Sequence, residues 1–292
     1  MSIFSGLEKI VRTHCPLSSF TWYGLGGPAD YFVMPETVEQ LTEVMRRCEE
    51  NALPLRVLGH GSNLLVRDEG VPGVVLRLDQ PRFAQVEYAG SRVTAGAGAA
   101  LSRLVLDCVR KGLAGLEPLT GIPGSVGGAV KMNAGGNFGD IGASVERVQL
   151  MDTHGRVFER VKPDLSFDYR RVNLTAPVIL SATLQLSEAE PDTILRTVKE
   201  IWIYKKNTQP LNMRNAGCVF KNPRQLSAGA LIDRAGLKGA QVGGAKVSEK
   251  HGNFILAEAG CTSRDVLELI DTIRSRVRDS FGIELELELE IW

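Results

Sequence analysis

The chain has 292 residues, enough for about two domains, and its 34 lysines and arginines balance its 34 aspartates and glutamates, so its formal net charge is zero. This balance argues against a partner held by bulk electrostatics, such as duplex nucleic acid or an anionic membrane. The five cysteines are odd in number and widely spaced, which indicates reduced thiols in a reducing compartment and excludes a disulfide framework or a zinc site.

The predicted elements of the first half alternate between helices and short strands. The segment Met1–Cys15 carries charges where a secretory signal has its apolar core, and no apolar run is long enough to span a bilayer, so we expect a cytoplasmic protein. Thr37 and Gln40 form a possible capping box, and Gly112 is placed as a helix C-cap. Helical spacing of apolar residues predicts helices at 3–11, 38–48 and 101–108. Short buried strands are predicted at 55–58, 74–78 and 93–95.

The second half predicts a hairpin, a strand, two long helices and a closing strand. The acidic, proline-bearing segment Glu188–Asp192 indicates a domain boundary, which divides the chain into 1–188 and 189–292. The hairpin is predicted at 145–151 and 157–159, and the strand at 178–186. The two helices are predicted at 194–206 and 266–277, and the closing strand at 283–291. In the last of these, four glutamates alternate with isoleucine and leucine, which places all four on one face of a strand. The sum is an α+β protein of two domains.

The most unusual stretch is Gly121–Gly136, which holds six glycines in sixteen residues and no acid. Bare N–H groups without carboxylates suit an anion such as a phosphate, although an ordinary glycine-rich loop is the alternative. A second small-residue loop, Leu58–Leu65, follows a predicted strand. Neither loop has the spacing of a Rossmann or P-loop motif. Two separate cradles suit a long diphosphate, so the pattern predicts a dinucleotide-like ligand, with Ser62, Asn63 and Ser125 adding hydrogen bonds.

Seven motifs, in this order, closely resemble those of the UDP-N-acetylenolpyruvoylglucosamine reductase family. They span residues 21–30, 57–66, 115–135, 166–170, 216–223, 250–255 and 281–289. The resemblance runs from about Thr21 to the C-terminus. It implies an FAD-binding fold of the vanillyl-alcohol-oxidase (PCMH) type in 1–188 and a smaller α+β substrate domain in 189–292. The lack of a long insertion after Pro177 resembles the shorter subtype, which has no extra substrate-covering loop.

The resemblance also implies an activity. Members of this family use NADPH and non-covalently bound FAD to reduce UDP-N-acetylglucosamine enolpyruvate to UDP-N-acetylmuramate, a cytoplasmic step of peptidoglycan synthesis. We therefore expect small-molecule substrates, a monomer, and no nucleic-acid, membrane or metal partner. Two alternatives stay open, namely a catalytically degenerate flavin- or nucleotide-binding module and a flavin oxidase of the same fold.

The matching motifs assign site residues one by one. The catalytic set is Arg170, which grips the substrate carboxylate and enolate, Cys218 as proton donor, and Glu288. Residues expected to bind substrate are Tyr169, Lys221 and Asn222. Residues expected to bind FAD are Gly59, His60, Gly61, Ser62, Asn63, Leu64, Thr120, Gly121, Pro123, Gly124, Ser125, Gly127 and Gly128.

Three positions qualify this assignment. Cys218 stands where the family usually has a serine, and a thiol, with an ordinary pKa of about 8.5, donates a proton readily but is lost as a donor when it ionises. Val172 stands where the family usually has another serine. Glu288 is selected over Glu286 only by register, so a slip of two residues stays open. His251 and Asn253 are expected either to be structural or to support the residues that contact the ligands.

Overall fold

The computed structural model describes residues 3–223 and 226–292, a mixed α+β fold as predicted. Its helices are α1 (Val38–Glu50), α2 (Pro81–Ala84), α3 (Leu101–Arg110), α4 (Val126–Lys131), α5 (Pro191–Thr208), α6 (Ala228–Arg234) and α7 (Ser263–Phe281). Its strands are β1 (Val11–Pro16), β2 (Pro28–Val33), β3 (Leu55–Leu58), β4 (Leu64–Leu65), β5 (Val71–Arg77), β6 (Val86–Ala89), β7 (Arg92–Gly96), β8 (Leu113–Ala114), β9 (Gly135–Gly136), β10 (Gly139–Asp140), β11 (Val145–Met151), β12 (Val157–Val161), β13 (Phe167–Asp168), β14 (Arg171–Val172), β15 (Val178–Gln185), β16 (Ser187–Glu188), β17 (Gln241–Val242), β18 (Ala245–Val247), β19 (Ile255–Ala257) and β20 (Glu290–Ile291). Among these described residues no helix is long and apolar enough to cross a membrane.

The chain forms two compact units whose boundaries differ from the predicted division at 188/189. The first unit contains the segment up to His14, Asp30–His60 and Pro72–Ile203, and the second contains Cys15–Ala29, Gly61–Val71 and Tyr204–Trp292. The first unit extends into α5 because Ile194 and Val198 of that helix are buried in its core. The second unit takes in two early segments because Tyr23 and Leu65 are buried in its own core. The composition of a short segment does not show in which core its residues are buried.

The first unit contains two larger sheets. One has the order β1-β2-β5-β3, with β3 and β5 parallel, and the other is antiparallel with the order β12-β11-β15-β7-β6. The predicted hairpin is confirmed as β11 and β12. Thr37 caps α1 by accepting a hydrogen bond from the Gln40 N–H at 3.2 Å, but the Gln40 side chain accepts from Glu36, so only half of the predicted capping box forms.

The predicted N-terminal helix is wrong. A single 3-10 turn, Glu8–Ile10, leads directly into β1. Its apolar residues are buried all the same, since Phe4 and Ile10 lie in the core that α1 also covers. The Ile10 carbonyl accepts a hydrogen bond from Met34 at 2.9 Å, a long-range bond that favours the extended chain over a local helix.

The second unit packs α6 and α7 with the antiparallel sheet β17-β18-β19. The long helix α7 has a complete capping box from Thr262 and Asp265, and it ends at Gly282, whose φ of 68° is left-handed. The predicted closing strand is only partly formed. It is limited to β20, which pairs in parallel with β4, because residues 283–289 face an irregular segment and not a strand.

Candidate functional site

The residues assigned to the site are distributed over both units. The first unit holds Gly59, His60, Thr120, Gly121, Pro123, Gly124, Ser125, Gly127, Gly128, Tyr169 and Arg170. The second holds Gly61, Ser62, Asn63, Leu64, Cys218, Lys221, Asn222 and Glu288. Among the residues that the structure describes, no group of histidine, cysteine, aspartate or glutamate side chains is arranged to hold a metal ion.

The two predicted glycine-rich loops meet in the first unit. A Cβ on Gly59 would lie 2.7 Å from Ser125 Oγ, so only glycine allows this approach. The imidazole of His60 hydrogen-bonds the backbone of Gly98 and of Gly124, which links the first loop to the second. Burial, followed by the charge of Arg77, lowers the pKa of His60 despite these hydrogen bonds, so the ring is favoured in its neutral form. The structure thus gives His60 a bridging role between the two loops.

The glycine run divides into a buried part that bonds to the protein itself and a partly exposed part. Ser125 caps α4 by accepting from the Gly128 N–H at 3.3 Å. The N–H groups of Val126 and Gly127 donate to the carbonyls of Ala99 and Ala97 at 2.9 and 2.8 Å. These amides therefore serve the protein itself. The stretch 121–124 is partly exposed, with φ values of 72° at Gly121 and 140° at Gly124, and its assignment to FAD stays a prediction.

Two adjacent glycines of α4 have different surroundings. A Cβ on Gly127 would lie 2.8 Å from Ala97 Cβ, so packing already accounts for this glycine. Gly128 is exposed, and its Cβ would meet only Ser125 Oγ at 3.4 Å, an ordinary contact. Protein packing therefore does not account for Gly128. The assignment of both residues to FAD stays a prediction.

Arg170 lies at the tip of a tight turn in the first unit. Pairing of Phe167 with Val172 and of Asp168 with Arg171 leaves Tyr169 and Arg170 as the two turn residues. Arg170 has a left-handed φ of 56°, its Nη2 donates to the Gly135 carbonyl at 2.9 Å, and its guanidinium carbon lies 4.9 Å from the centre of the Tyr169 ring. The neighbouring Arg171 is instead an exposed strand residue, which distinguishes the two arginines.

Asn133, which the sequence analysis missed, fastens this turn to the end of the glycine run. Its side chain is 2% exposed, donates through Nδ2 to the Asp168 carbonyl at 3.0 Å, and accepts through Oδ1 from the Gly142 N–H at 3.0 Å. Its φ of 40° is a left-handed conformation that asparagine tolerates better than most residues. An amide side chain inside a run of small residues was the available signal.

Val172 is a core residue. It is 7% exposed and belongs to the main apolar cluster of the first unit. A serine at this position would bring a hydroxyl that needs a hydrogen-bond partner when buried. The departure from the family pattern therefore replaces a polar group by apolar packing beside the Arg170 turn.

Cys218 and Glu288 lie on segments that pair with each other in the second unit. The Lys221 N–H donates to the Glu286 carbonyl at 2.8 Å, and Phe220 forms an isolated antiparallel bridge with Leu287. The N–H groups of Glu288 and Leu289 then both donate to the Val219 carbonyl, at 2.9 and 3.2 Å. Because Val219 follows Cys218 directly, this ladder brings the backbone of Glu288 next to that of Cys218.

The four C-terminal glutamates are not equivalent. Glu286 has a side chain that is 73% exposed and forms an ion pair with Lys221, whereas Glu284 and Glu290 are also exposed. Glu288 alone of the four is partly buried. This difference favours Glu288 over Glu286 in the register that the sequence left open, although its role stays a prediction.

The remaining loop residues of the second unit hold the C-terminus and α6. Gly61 has a φ of 66°, and a Cβ on it would lie 2.1 Å from the Phe20 carbonyl oxygen. The Asn63 side chain donates to the Glu288 carbonyl at 3.0 Å, so the loop that carries Asn63 contacts the backbone of the glutamate. Asn222 Oδ1 accepts from the Ala228 N–H at 2.9 Å.

Comparisons with known proteins agree on one family. A family model for the UDP-N-acetylenolpyruvoylglucosamine reductase C-terminal domain matches residues 209–292, and an FAD-binding-domain model matches residues 29–160. The curated UDP-N-acetylenolpyruvoylglucosamine reductase of Moorella thermoacetica is 43% identical over 289 residues, which cover 99% of this chain and 95% of that protein. The one from Syntrophus aciditrophicus is 42% identical over 280 residues, covering 94% and 90%.

Solved structures give the same result. The crystal structure of UDP-N-acetylenolpyruvylglucosamine reductase from Thermus caldophilus is 41% identical, covers 97% of this chain and 98% of its own, and superposes with a TM-score of 0.81. The glucose dehydrogenase Phl p 4.0202 is 15% identical and covers 65% of this chain and 45% of its own, with a TM-score of 0.51. The second likeness shows a shared fold alone.

Proposed function

This chain belongs to the UDP-N-acetylenolpyruvoylglucosamine reductase family, and from that membership we propose the roles of its own residues in the reaction. It is an FAD-dependent oxidoreductase that reduces UDP-N-acetylglucosamine enolpyruvate to UDP-N-acetylmuramate with NADPH, in peptidoglycan synthesis. Its fold is the FAD-binding fold of the vanillyl-alcohol-oxidase (PCMH) type with a smaller C-terminal α+β domain, as the resemblance implied. We further propose that it acts as a cytoplasmic monomer.

The glycine loops of the first unit fit FAD. The partly exposed stretch 121–124 carries no acid, and the neutral ring of His60 links it to Gly59. Backbone N–H groups and small side chains are the donors that a diphosphate needs. Gly59, His60 and the stretch 121–124 would hold FAD, and the bound cofactor would supply hydride transfer between NADPH and the terminal methylene carbon of the enolpyruvyl group.

Arg170 would hold the substrate carboxylate and stabilise the enolate that forms. Hydride addition leaves negative charge on the enolate, and a permanently charged guanidinium lowers the energy of that charge. The turn, the Gly135 carbonyl and the Tyr169 ring orient this side chain before substrate arrives. Orientation in advance is what makes such a group effective, because no reorganisation is needed during the reaction.

Cys218 would complete the reaction as general acid. Its S–H proton is transferred to the enolate carbon, which forms the new C–H bond and leaves a thiolate that takes a proton back from solvent. Glu288 would donate a hydrogen bond to the enolate or substrate carboxyl. The single observation that supports this pair is the ladder in which Glu288 hydrogen-bonds the residue next to Cys218.

The test is an anaerobic two-step experiment. Flavin absorbance should fall on adding NADPH and return on adding the enolpyruvyl nucleotide. In Cys218→Ala the first step should persist and the second should be lost, whereas Cys261→Ala, which removes another thiol of the second unit, should retain both. Reoxidation of Cys218→Ala near the wild-type rate would overturn the proton-donor role.

The same experiment separates the alternatives. Flavin reduction without reoxidation by the enolpyruvyl nucleotide would indicate a degenerate binding module. Turnover that needs only oxygen would indicate an oxidase. Sedimentation at several concentrations would test the proposed monomer.

A further inference from the structure

The segment that carries Cys218 is hydrogen-bonded along both of its edges. On one edge lies the ladder to 286–289 described above. On the other lies Asn253, whose main-chain carbonyl accepts from the Val219 N–H at 2.9 Å. The side chain of Asn253 makes two further bonds to one residue, accepting through Oδ1 from the Phe220 N–H at 2.9 Å and donating through Nδ2 to the Phe220 carbonyl at 2.7 Å.

The side chain of Asn253 thereby takes the place of a strand. A neighbouring strand offers one donor and one acceptor to each residue that it pairs with, and the carboxamide supplies the same two groups. Asn253 is 2% exposed, so water does not replace either bond if the amide is lost. A buried backbone group left without its bond is costly, so loss of the amide favours a shift of the segment.

Neighbouring groups fix the Asn253 backbone in turn. Its N–H donates to His251 Nδ1 at 3.2 Å, and the Phe254 N–H donates to the His251 carbonyl at 3.0 Å. The His251 ring packs edge-on against Phe254, and Gly229 leaves it room, since a Cβ there would lie 3.0 Å from His251 Cε1. Burial lowers the pKa of His251, which favours the neutral ring that can accept at Nδ1.

We propose that Asn253 is a positioning residue for the proton-transfer half of the reaction. By holding Phe220 through both of its backbone groups, it sets the position of Cys218 and, through the ladder at Val219, that of Glu288. This inference rests on the proposed function, because it assigns Asn253 a role only through the two residues proposed to act there. It makes the supporting role that the sequence left open specific, by naming the two residues that Asn253 positions.

Asn253→Asp tests the proposal through pH. An ionised aspartate keeps the acceptor for the Phe220 N–H but removes the donor to its carbonyl, whereas a protonated aspartate restores an O–H donor. At pH 8 we expect reoxidation of the reduced flavin by the enolpyruvyl nucleotide to slow about 10- to 100-fold, the scale of a misplacement of about 1 Å. The rate should recover as the pH falls toward 6, while reduction by NADPH stays within about twofold.

Two controls accompany this variant. Asn51→Asp removes an exposed amide that donates to the Arg47 carbonyl at the end of α1 and should leave both half-reactions unchanged. The wild-type pH profile, measured in parallel, accounts for the titration of His251 and for Lys238, whose charge acts on it. If Asn253→Asp does not give folded holoenzyme, Asn253→Ser, which retains one hydrogen-bonding group, is measured for the same ratio of half-reactions.

The outcomes are distinguishable. A wild-type enzyme that is not reoxidised by the nucleotide overturns the proposed function. A competent wild type with an Asn253→Asp variant that reoxidises equally fast, or that loses both half-reactions in proportion to lost FAD, overturns the positioning role. Selective slowing of reoxidation with recovery at low pH supports it.

Discussion

Replacing Gly128 by alanine separates the two reasons for which a glycine occurs at the start of α4. If the glycine serves the fold, alanine destabilises the protein; if it leaves space for FAD, alanine weakens binding alone. The structure leaves room for the methyl group, since its nearest contact is Ser125 Oγ at 3.4 Å. Alanine is favoured over glycine within a helix by about 1 kcal/mol. We therefore expect the apoprotein to gain up to about 1 kcal/mol in the free energy of unfolding.

FAD binding should change in the opposite direction. A methyl group forced into a filled contact costs roughly 1–3 kcal/mol, which corresponds to a dissociation constant about 5- to 150-fold higher. The free energy of unfolding is measured by urea denaturation without FAD, and the affinity by titrating the apoprotein with FAD. Wild-type FAD affinity in Gly128→Ala would refute the placement of the cofactor against this residue.

Substitutions of two further glycines serve as comparisons for this experiment. In Gly127→Ala the same helix gain is opposed by an overlap at 2.8 Å from Ala97 Cβ, so the net effect should lie between no change and a loss of about 2 kcal/mol. Gly136→Ala is the neutral control, because a Cβ there meets nothing within 4 Å and its φ is not left-handed.

Three other predictions concern proton donation, charge and pH. Cys218→Ser should retain turnover and lose the alkaline decline that ionisation of a thiol causes; a decline that persists in the pH–rate profile would contradict the assignment. Arg170→Lys should slow reoxidation by the nucleotide at least about tenfold without affecting NADPH oxidation. Arg171→Lys should leave both rates unchanged. Equal losses of reoxidation rate in the two variants, measured by stopped flow, would contradict the carboxylate role. The pKa of His60 is lowered in the folded state, so the unfolded chain binds this proton more readily. The free energy of unfolding should therefore fall as the pH drops from about 7 through 6.5. His60→Gln should flatten that part of the curve in urea denaturation, and an unchanged slope would contradict it.

Local patterns predicted the elements whose partners are local. Helix α1 with its Thr37 cap, the hairpin of β11 and β12, and α7 ending at Gly282 follow from periodicity and capping, which depend on residues a few positions apart. The N-terminal segment has helical spacing but forms only the 3-10 turn Glu8–Ile10 before β1, because the Ile10 carbonyl bonds to the distant Met34 N–H. The two compact units also divide the chain at places that local patterns do not mark, since burial of Ile194 and Tyr23 is decided by distant parts of the chain.

The candidate site shows the same limit. Arg170, Cys218 and Glu288 were identified by motif register, and no property of the isolated residues selects them. The bonds of Asn133 to Asp168 and of Asn253 to Phe220 could not be read from the sequence, because each joins groups 33 or more positions apart. A buried asparagine is costly unless its amide is fully bonded, so the information lies in its partners.

The glycine run has two roles, and both depend on a close approach of its backbone to neighbouring groups. Its first half needs glycine because Gly127 approaches Ala97 and because the backbone of Gly121 and Gly124 is left-handed. Its second half, through Asn133 and the Gly135 carbonyl, fastens the turn that bears Arg170. A Cβ on Gly135 would lie 2.4 Å from the Gly139 carbonyl oxygen, so this end is as constrained as the first. Because one continuous segment forms both contacts, we expect a shift of residues 121–128 to displace the arginine as well. Substitutions that shift residues 121–128 should therefore affect substrate affinity even when they lie outside the substrate contacts, whereas Gly136→Ala should not.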